Sequence, residues 1–175
     1  MHPFSAPFPA ARFRRTKATA ALRALTQENV LSLGDLIWPI FVRDGVGFSE
    51  PVASMPGVSR LSVDLAVRAA VDAAELGIPA ICLFPYTDPA LKTAECEEAW
   101  NPDNLTNRAI RAIKAQVPQI AVMTDVALDP YNLYGHDGLV RDGIILNDET
   151  LEALVKMALA QAEAGADILG PSDMM

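Results

Sequence analysis

The sequence predicts an α/β fold in which buried parallel strands alternate with amphipathic helices. Apolar runs of strand length occupy 36–42, 78–84 and 120–128, a fourth begins at 166, and helical periodicity fills the segments between them. Near-continuous apolar strands are typical of a sheet covered on both faces, and repeated strand–helix–strand units indicate parallel strands with right-handed crossovers. Two architectures fit this order: an open doubly wound sheet, or part of a (β/α)8 barrel. A complete barrel usually needs about 250 residues, so this chain could hold only its first half.

Composition is that of one soluble globular domain. The chain has 175 residues, 51% of them hydrophobic, with a mean hydropathy of +0.20. This excludes a disordered or collagen-like chain, and no apolar run approaches the ~20 residues that cross a bilayer. Two cysteines give no disulfide framework, so a reducing cytoplasm is the simplest location, and we expect no membrane partner.

The charge is unevenly distributed along the chain. No acid precedes Glu28, whereas five basic residues do: Arg12, Arg14, Arg15, Lys17 and Arg23. Since the whole chain carries −8, the remainder carries −13, which argues against a nucleic-acid partner. We expect the basic segment to pair with an acidic surface of another copy.

The first 30 residues are predicted to form an extended arm and a short helix, separate from the domain at 31–175. Pro3, Pro7 and Pro9 suppress helix in residues 1–19, and a helix is expected from Thr19 to Glu28.

Two helices are predicted in the first half of the domain. Ser62 is expected to cap a helix that ends before Gly77, with an inner face of Leu65, Ala69, Ala73 and Leu76. Asn101 is expected to cap the next helix, with Pro102 at its first position and Pro118 after its end. Its predicted inner face is Leu105, Ala109, Ile110, Ile113 and Val117.

A hairpin and a further helix are predicted in the second half. Asp142–Gly143 is a turn sequence between two apolar pairs, which indicates a hairpin over 139–146. Asn147, followed by two acids, should begin a helix that ends at Gly165. Its predicted inward residues are Leu151, Leu154, Val155, Ala158, Leu159 and Ala162.

Polar residues that could perform chemistry follow the predicted strands. Asp125, Asp129 and Asp137 form a carboxylate cluster after the third strand, and such a cluster needs a cation, a shared proton or a cationic substrate. Oxygen ligands suit Mg²⁺ rather than Zn²⁺. The alternative is that Asp129 and Asp137 are turn residues beside Pro130 and Gly138.

Other reactive side chains are placed less favourably for catalysis. His136 is a lone loop histidine, more typical of a hydrogen-bonding scaffold than of a catalyst. Ser172 lacks the surroundings of a hydrolase nucleophile. None of the four lysines (Lys17, Lys92, Lys114 and Lys156) follows a buried strand, so the chain offers no Schiff-base amine there.

Several longer motifs resemble the porphobilinogen synthase family, also called δ-aminolevulinic acid dehydratase. They are Met55–Pro56–Gly57–Val58, Gly77–Ile78–Pro79, Trp100–Asn101–Pro102–Asp103, the segment 124–131, Gly135–His136–Asp137–Gly138 and the segment 166–175. The resemblance runs from about Phe13 to Met175. It implies that the chain is the first half of a (β/α)8 barrel with an extended N-terminal arm that grips a neighbour, usually in a homo-octamer.

The resemblance also implies a reaction and a site. The family condenses two molecules of 5-aminolevulinate into porphobilinogen, with loss of two waters, in haem and tetrapyrrole synthesis. Zinc-dependent members carry three cysteines at positions that are Ala127, Asp129 and Asp137 here. The chain therefore resembles the aspartate-rich branch of the family. This resemblance implies Mg²⁺ or K⁺ rather than zinc, in a cation pocket at Asp129 and Asp137.

Substrate-binding roles follow from the same resemblance. Asp125 and Asp129 are expected to hold the free amino group of one substrate, and Ser172 to form a hydrogen bond beside it. The two Schiff-base lysines of the family belong to later strands, beyond Met175. We therefore expect the 175-residue chain alone to be inactive and to self-associate. The alternative is an inactive half-barrel that acts as an assembly module.

Overall fold

The computed structural model describes residues 6–7, 9–12 and 14–174. They belong to two compact units, Met1–Ser32 and Leu33–Met175. In the first unit a 3₁₀ turn at Arg15–Lys17 precedes helix α1, Ala20–Thr26, which confirms the short predicted helix. The Thr19 side chain caps it by accepting a hydrogen bond from the Leu22 N–H at 3.2 Å. Pro3, on which the predicted arm partly rests, lies outside the described residues.

Among its described residues, the second unit contains one six-stranded sheet, one two-stranded hairpin, three α-helices and three short 3₁₀ helices. In chain order the strands and α-helices are β1 Ile37–Arg43, β2 Ser49–Pro51, β3 Ser59–Leu61, α2 Val63–Leu76, β4 Ala80–Tyr86, α3 Leu105–Gln116, β5 Ala121–Val126, β6 Val140–Arg141, β7 Ile144–Ile145, α4 Asn147–Ala164 and β8 Ile168–Pro171. The sheet order is β2-β3-β1-β4-β5-β8.

The predicted alternation of strands and helices is confirmed. Strands β1, β4, β5 and β8 are all parallel, with partner pairs that include Leu83↔Thr124 and Asp125↔Gly170. The carboxyl ends of these strands therefore meet along one edge of the sheet. As described, the sheet is open, with β2 and β8 at its margins.

Strands β2 and β3 are not among the elements that the sequence predicts. They form a short antiparallel pair, and β3 also pairs in parallel with β1 through Phe41↔Arg60. Three-residue strands carry too little periodicity to be recognised in a sequence. β3 is held by its pairing with β1, and β2 by its pairing with β3.

Burial of β1 on both faces was a wrong prediction. Ile40 and Val42 are buried in the main core, but Ile37 and Trp38 at the start of the strand are exposed. Trp38 lies on the same face of β1 as Ile40 and Val42 and Ile37 lies on the opposite face, so the start of the strand is uncovered on both faces among the described residues.

The main core lies between the sheet and helices α2 and α3. Helix α2 buries a row of small residues, Ala66, Val67, Ala69, Ala70 and Ala73. Leu65 is only half-buried and Leu76 is 62% exposed, so the predicted inner face is wrong at its ends. Leu76 immediately precedes Gly77, whose φ of +85° turns the chain out of the helix as predicted.

The predicted inner face of α3 is buried in full, but its predicted start is wrong. The cap is Asn104, whose side-chain oxygen accepts from the Asn107 N–H at 2.8 Å. The Asn101 side chain instead accepts from the Asp103 N–H at 3.0 Å and closes a turn before the helix. One more turn of chain therefore separates Asn101 from the helix.

The hairpin is confirmed, whereas the face of α4 that packs inward is not the predicted one. Asp142 and Gly143 have φ of +52° and +76° between β6 and β7, as a primed turn requires. Helix α4 begins at Asn147 as predicted, but Leu151, Val155, Leu159 and Ala162 are exposed. The buried residues are Thr150, Ala153, Met157, Gln161 and Ala164.

No helix among the described residues is both long and apolar enough to cross a bilayer.

Candidate active site

The carboxyl ends of β5 and β8 bring Asp125 and Ser172 together. Because the two strands are parallel neighbours, Asp125 of β5 lies beside Gly170, and the chain continues directly to Ser172. The Ser172 hydroxyl donates a hydrogen bond to Asp125 Oδ1 at 2.6 Å. This short bond holds the two side chains together.

Three carboxylates lie together beyond this pair. One oxygen from each of Asp129, Asp137 and Asp173 lies within 4.8 Å of the other two. Asp173 is turned toward the loop after β5 because its Oδ2 accepts from the Leu128 N–H at 3.1 Å. The sequence predicts a trio of Asp125, Asp129 and Asp137, but the structure gives the third place to Asp173.

Buried contacts hold the turn that carries Asp129. The Tyr131 side chain is fully buried, and its hydroxyl shares a hydrogen bond of 3.1 Å with Thr106 Oγ1 of α3. On the other side Thr93 forms backbone bonds to Tyr131 and Leu133 at 3.1 and 3.0 Å. The turn is therefore held from a helix and from the loop after β4.

A second set of contacts holds the loop that carries Asp137. His136 Nδ1 accepts from the Gly138 N–H at 2.9 Å, so this histidine has the scaffold role that the sequence predicts. The buried Asn132 amide donates to the Gly138 carbonyl at 3.0 Å. Thr150 of α4 accepts from the Leu139 N–H at 3.0 Å. Asp137 thus projects from a loop with several fixed backbone points.

Helix α4 also contacts the end of β5 through a buried amide. Gln161 accepts from the Thr124 hydroxyl at 2.8 Å and donates to the Asp125 carbonyl at 3.0 Å. Neither Gln161 nor Asp173 is a site residue in the sequence prediction. Asp173 was detectable because it directly follows Ser172 at a strand end, whereas Gln161 carries no such signal within its helix.

The cluster of carboxylates is electrostatically strained. Burial raises the pKa of Asp173 to about 6, and the charges of Asp137, Asp129 and Asp125 add to this, against the Leu128 N–H, which lowers it. Partial desolvation, then Asp125 and Asp137, raise the pKa of Asp129, while Lys92 lowers it. Asp129 remains exposed by surface area, so neighbouring charge can be screened by water there.

The two cysteines are buried, and their thiolate forms are disfavoured. Burial, followed by the charge of Asp125, raises the pKa of the Cys82 thiol to about 11. Burial, followed by the charges of Glu97 and Glu95, raises the pKa of the Cys96 thiol to about 12.

This arrangement suits a hard cation or an ammonium group. The three carboxylates offer only oxygen atoms as ligands, and Mg²⁺ and other hard cations prefer oxygen. Zinc sites built from thiolates bind the ion through sulfur instead. Desolvation first, and the neighbouring negative charges second, raise the pKa values of Asp129 and Asp173, and a bound cation would relieve the repulsion between the carboxylates.

Comparisons with known proteins identify similar chains. Residues 10–175 match the family model described as delta-aminolevulinic acid dehydratase. A protein of that name from Rhodobacter capsulatus is 63% identical over 169 residues, which cover 97% of this chain and 51% of the relative. Another from Bradyrhizobium diazoefficiens is 58% identical over 95% of this chain and 47% of the relative.

A solved structure supports the same likeness. The delta-aminolevulinic acid dehydratase of Toxoplasma gondii ME49, crystallised with its reaction product porphobilinogen, superposes with a TM-score of 0.89 at 47% identity. The match covers 94% of this chain and 47% of that one. The chain thus spans about half the length of these relatives, and the prediction of a first half of a (β/α)8 barrel is confirmed.

Proposed function

The chain belongs to the delta-aminolevulinic acid dehydratase family, a family of lyases, and from this we propose that it forms one side of a porphobilinogen synthase active site. The reaction condenses two 5-aminolevulinate molecules with loss of two waters. The observation that carries the proposal is the grouping of Asp129, Asp137 and Asp173 beside the Asp125–Ser172 pair at the sheet edge.

The side chains of this edge would bind the cationic end of a substrate. We assign Asp125 and Asp129 to the free ammonium group of one 5-aminolevulinate, because carboxylates attract a cation at a partly desolvated site. Ser172 Oγ lies 2.6 Å from Asp125 Oδ1, so it orients that carboxylate and remains available to the substrate. The Schiff-base chemistry would come from lysines on later strands of the family's barrel.

A cation other than zinc would fit the neighbouring pocket. We assign this pocket to Asp129 and Asp137, with Asp173 as a third oxygen ligand, and to Mg²⁺ or K⁺. A bound divalent ion would supply positive charge that offsets the three carboxylates. Zinc is disfavoured because Ala127, Asp129 and Asp137 occupy the positions of the thiolates in zinc-dependent members.

Assembly and location follow from the same family membership. We propose a cytoplasmic homo-oligomer, an octamer in its complete form, in which the basic N-terminal arm contacts the acidic body of a neighbouring copy. The arm carries five basic residues before the first acid, and the remainder is strongly acidic, so the two surfaces attract.

Activity can be tested in a chain of full family length. Residues 1–175 are joined in frame to the part of the Rhodobacter capsulatus relative that follows its matched half; we call this the joined protein. It should form porphobilinogen from 5-aminolevulinate, and the 175-residue chain alone should not. After chelation, Mg²⁺ or K⁺ rather than Zn²⁺ should restore any lost activity.

Substitution of Asp129 tests the role of the acidic edge. Asp129→Ala should raise KM for 5-aminolevulinate at least tenfold, because it removes a charge that binds the ammonium group. Asp72→Ala, an exposed acid on α2, is the matched control and should leave KM unchanged. Equal KM values for Asp129→Ala and the parent would reject the assignment.

A further inference from the structure

A buried amide connects α4 to the strand end that carries Asp125. Gln161 is fully buried, in the row of α4 that faces the sheet. Its Oε1 accepts from the Thr124 hydroxyl at 2.8 Å, and its Nε2 donates to the Asp125 carbonyl at 3.0 Å. A buried amide is costly unless both of its ends are bonded, and here both are.

The two bonds give the Gln161 side chain one orientation. The Thr124 hydroxyl donates to the amide oxygen, and only the amide nitrogen can donate to the Asp125 carbonyl. A rotated amide would face the Asp125 carbonyl with its oxygen and would lose that bond, whereas the Thr124 hydroxyl can accept as well as donate. The Asp125 carbonyl therefore fixes the direction in which Gln161 presents its N–H, and Thr124 anchors the other end of the amide.

The location of this contact matters because β5 loses a neighbour there. Pairing of β4 with β5 ends at Leu83↔Thr124, so Asp125 is the first residue of β5 beyond that pairing. Successive side chains of a strand point to opposite faces. Thr124 thus faces α4, while Asp125 faces Ser172 on the other side, and its backbone is held from behind by Gln161.

We propose that Gln161 is a positioning residue that sets the Asp125 carboxylate for the substrate ammonium group by holding the Asp125 carbonyl. The inference rests on the proposed function for the identity of the ligand. Gln161 itself lies on the helix side of the sheet and acts only through the backbone of Asp125. Loss of the amide lets the peptide after Asp125 rotate and moves the carboxylate relative to Ser172.

The test uses the joined protein. Gln161→Met keeps the length of the side chain but removes both hydrogen bonds, and should raise KM for 5-aminolevulinate about tenfold while kcat changes less than threefold. Thr124→Val removes only the hydrogen bond to the amide oxygen and should have a smaller effect of the same kind. The two changes together should raise KM by less than the product of the single effects, because they disrupt one network.

Ile113→Ala is the matched control. Ile113 of α3 is fully buried in the main core with Ile110 and Val122, and not in the apolar cluster of Leu128 and Tyr131 that supports Asp129. This substitution should lower the thermal midpoint at least as much as Gln161→Met and leave KM within twofold of the parent. If Ile113→Ala raises KM equally, the effect of Gln161 is one of general stability and the proposal is wrong.

A second measurement separates this proposal from the proposed function. Amide hydrogen exchange of residues 124–131 and the affinity for 5-aminolevulinate by calorimetry do not require turnover. Gln161→Met should speed exchange in this segment and weaken binding about tenfold, and Ile113→Ala should not weaken binding. A parent that binds 5-aminolevulinate but forms no porphobilinogen refutes the proposed function alone. Unchanged affinity and exchange in Gln161→Met, or a parent that does not bind 5-aminolevulinate, refutes the role of Gln161.

Discussion

Helices α3 and α4 both pack against β5, but they do so through different chemistry. The apolar face of α3 lies against the sheet, with Ile110 and Ile113 fully buried. Helix α4 turns Thr150 and Gln161 inward, and its leucines and valine at 151, 155 and 159 are 42–59% exposed.

The difference shows what each helix supports. Helix α3 stabilises the sheet through its apolar face, although its Thr106 also bonds Tyr131. Helix α4 uses two hydrogen-bonding residues to hold the backbone on either side of the acidic cluster, at Asp125 and Leu139. An amphipathic helix thus need not bury its most apolar face where a neighbouring site needs polar support.

The largest expected effect on stability is in the apolar core between α3 and the sheet. Ile110→Ala should lower the free energy of unfolding by about 3 kcal/mol, because it leaves a cavity in a close-packed core. Leu159→Ala on α4 is the matched control and should cost under about 0.5 kcal/mol. Urea unfolding of both variants measures this difference. Similar losses would mean that the outer face of α4 is buried in the folded protein.

An intermediate effect on stability is expected in the acidic cluster whose flanking backbone α4 holds, and it depends on pH. The pKa of Asp173 is about 6 in the folded state, above the ~3.9 of an unfolded chain, so its protonation favours folding. This contribution is complete below pH ~3.9 and is lost as pH rises through 6. Its loss between pH 5 and 8 should be on the order of 1 kcal/mol, since partial exposure to solvent screens the charges.

Asp173→Asn checks this assignment, because asparagine can still accept from the Leu128 N–H but does not ionise. Thermal midpoints measured at pH 5 and pH 8 should differ less in this variant than in the parent. Added Mg²⁺ should raise the midpoint of the parent more at pH 8 than at pH 5. An unchanged pH dependence in Asp173→Asn would contradict the raised pKa.

The smallest effect on stability is expected at the exposed face of α4. Val155→Lys replaces a side chain that is 58% exposed, so the free energy of unfolding should change by less than about 0.5 kcal/mol. The variant should nevertheless self-associate less in sedimentation velocity, because it breaks an apolar surface with a charge. A destabilisation comparable with that of Ile110→Ala would erase the contrast between the two helices.

Local sequence was sufficient where one residue decides a local conformation. Gly77 ends α2, Asp142–Gly143 makes the turn between β6 and β7, and Asn147 begins α4, all as predicted. The inner face of α3 was also predictable, because its apolar residues form one narrow stripe. Asn101 was a wrong choice of cap, since both it and Asn104 have the chemistry of one.

Residue patterns were enough to predict the alternation of strands and helices, the family resemblance and the placement of Asp125, Asp129, Asp137 and Ser172 after predicted strands. Folding brings Asp173 to the carboxylates and Gln161 to the end of β5, and no local pattern indicated either contact. Periodicity reports which residues share a face of an element. It does not report which face meets the sheet, because that choice depends on partners 36 to 45 residues away along the chain.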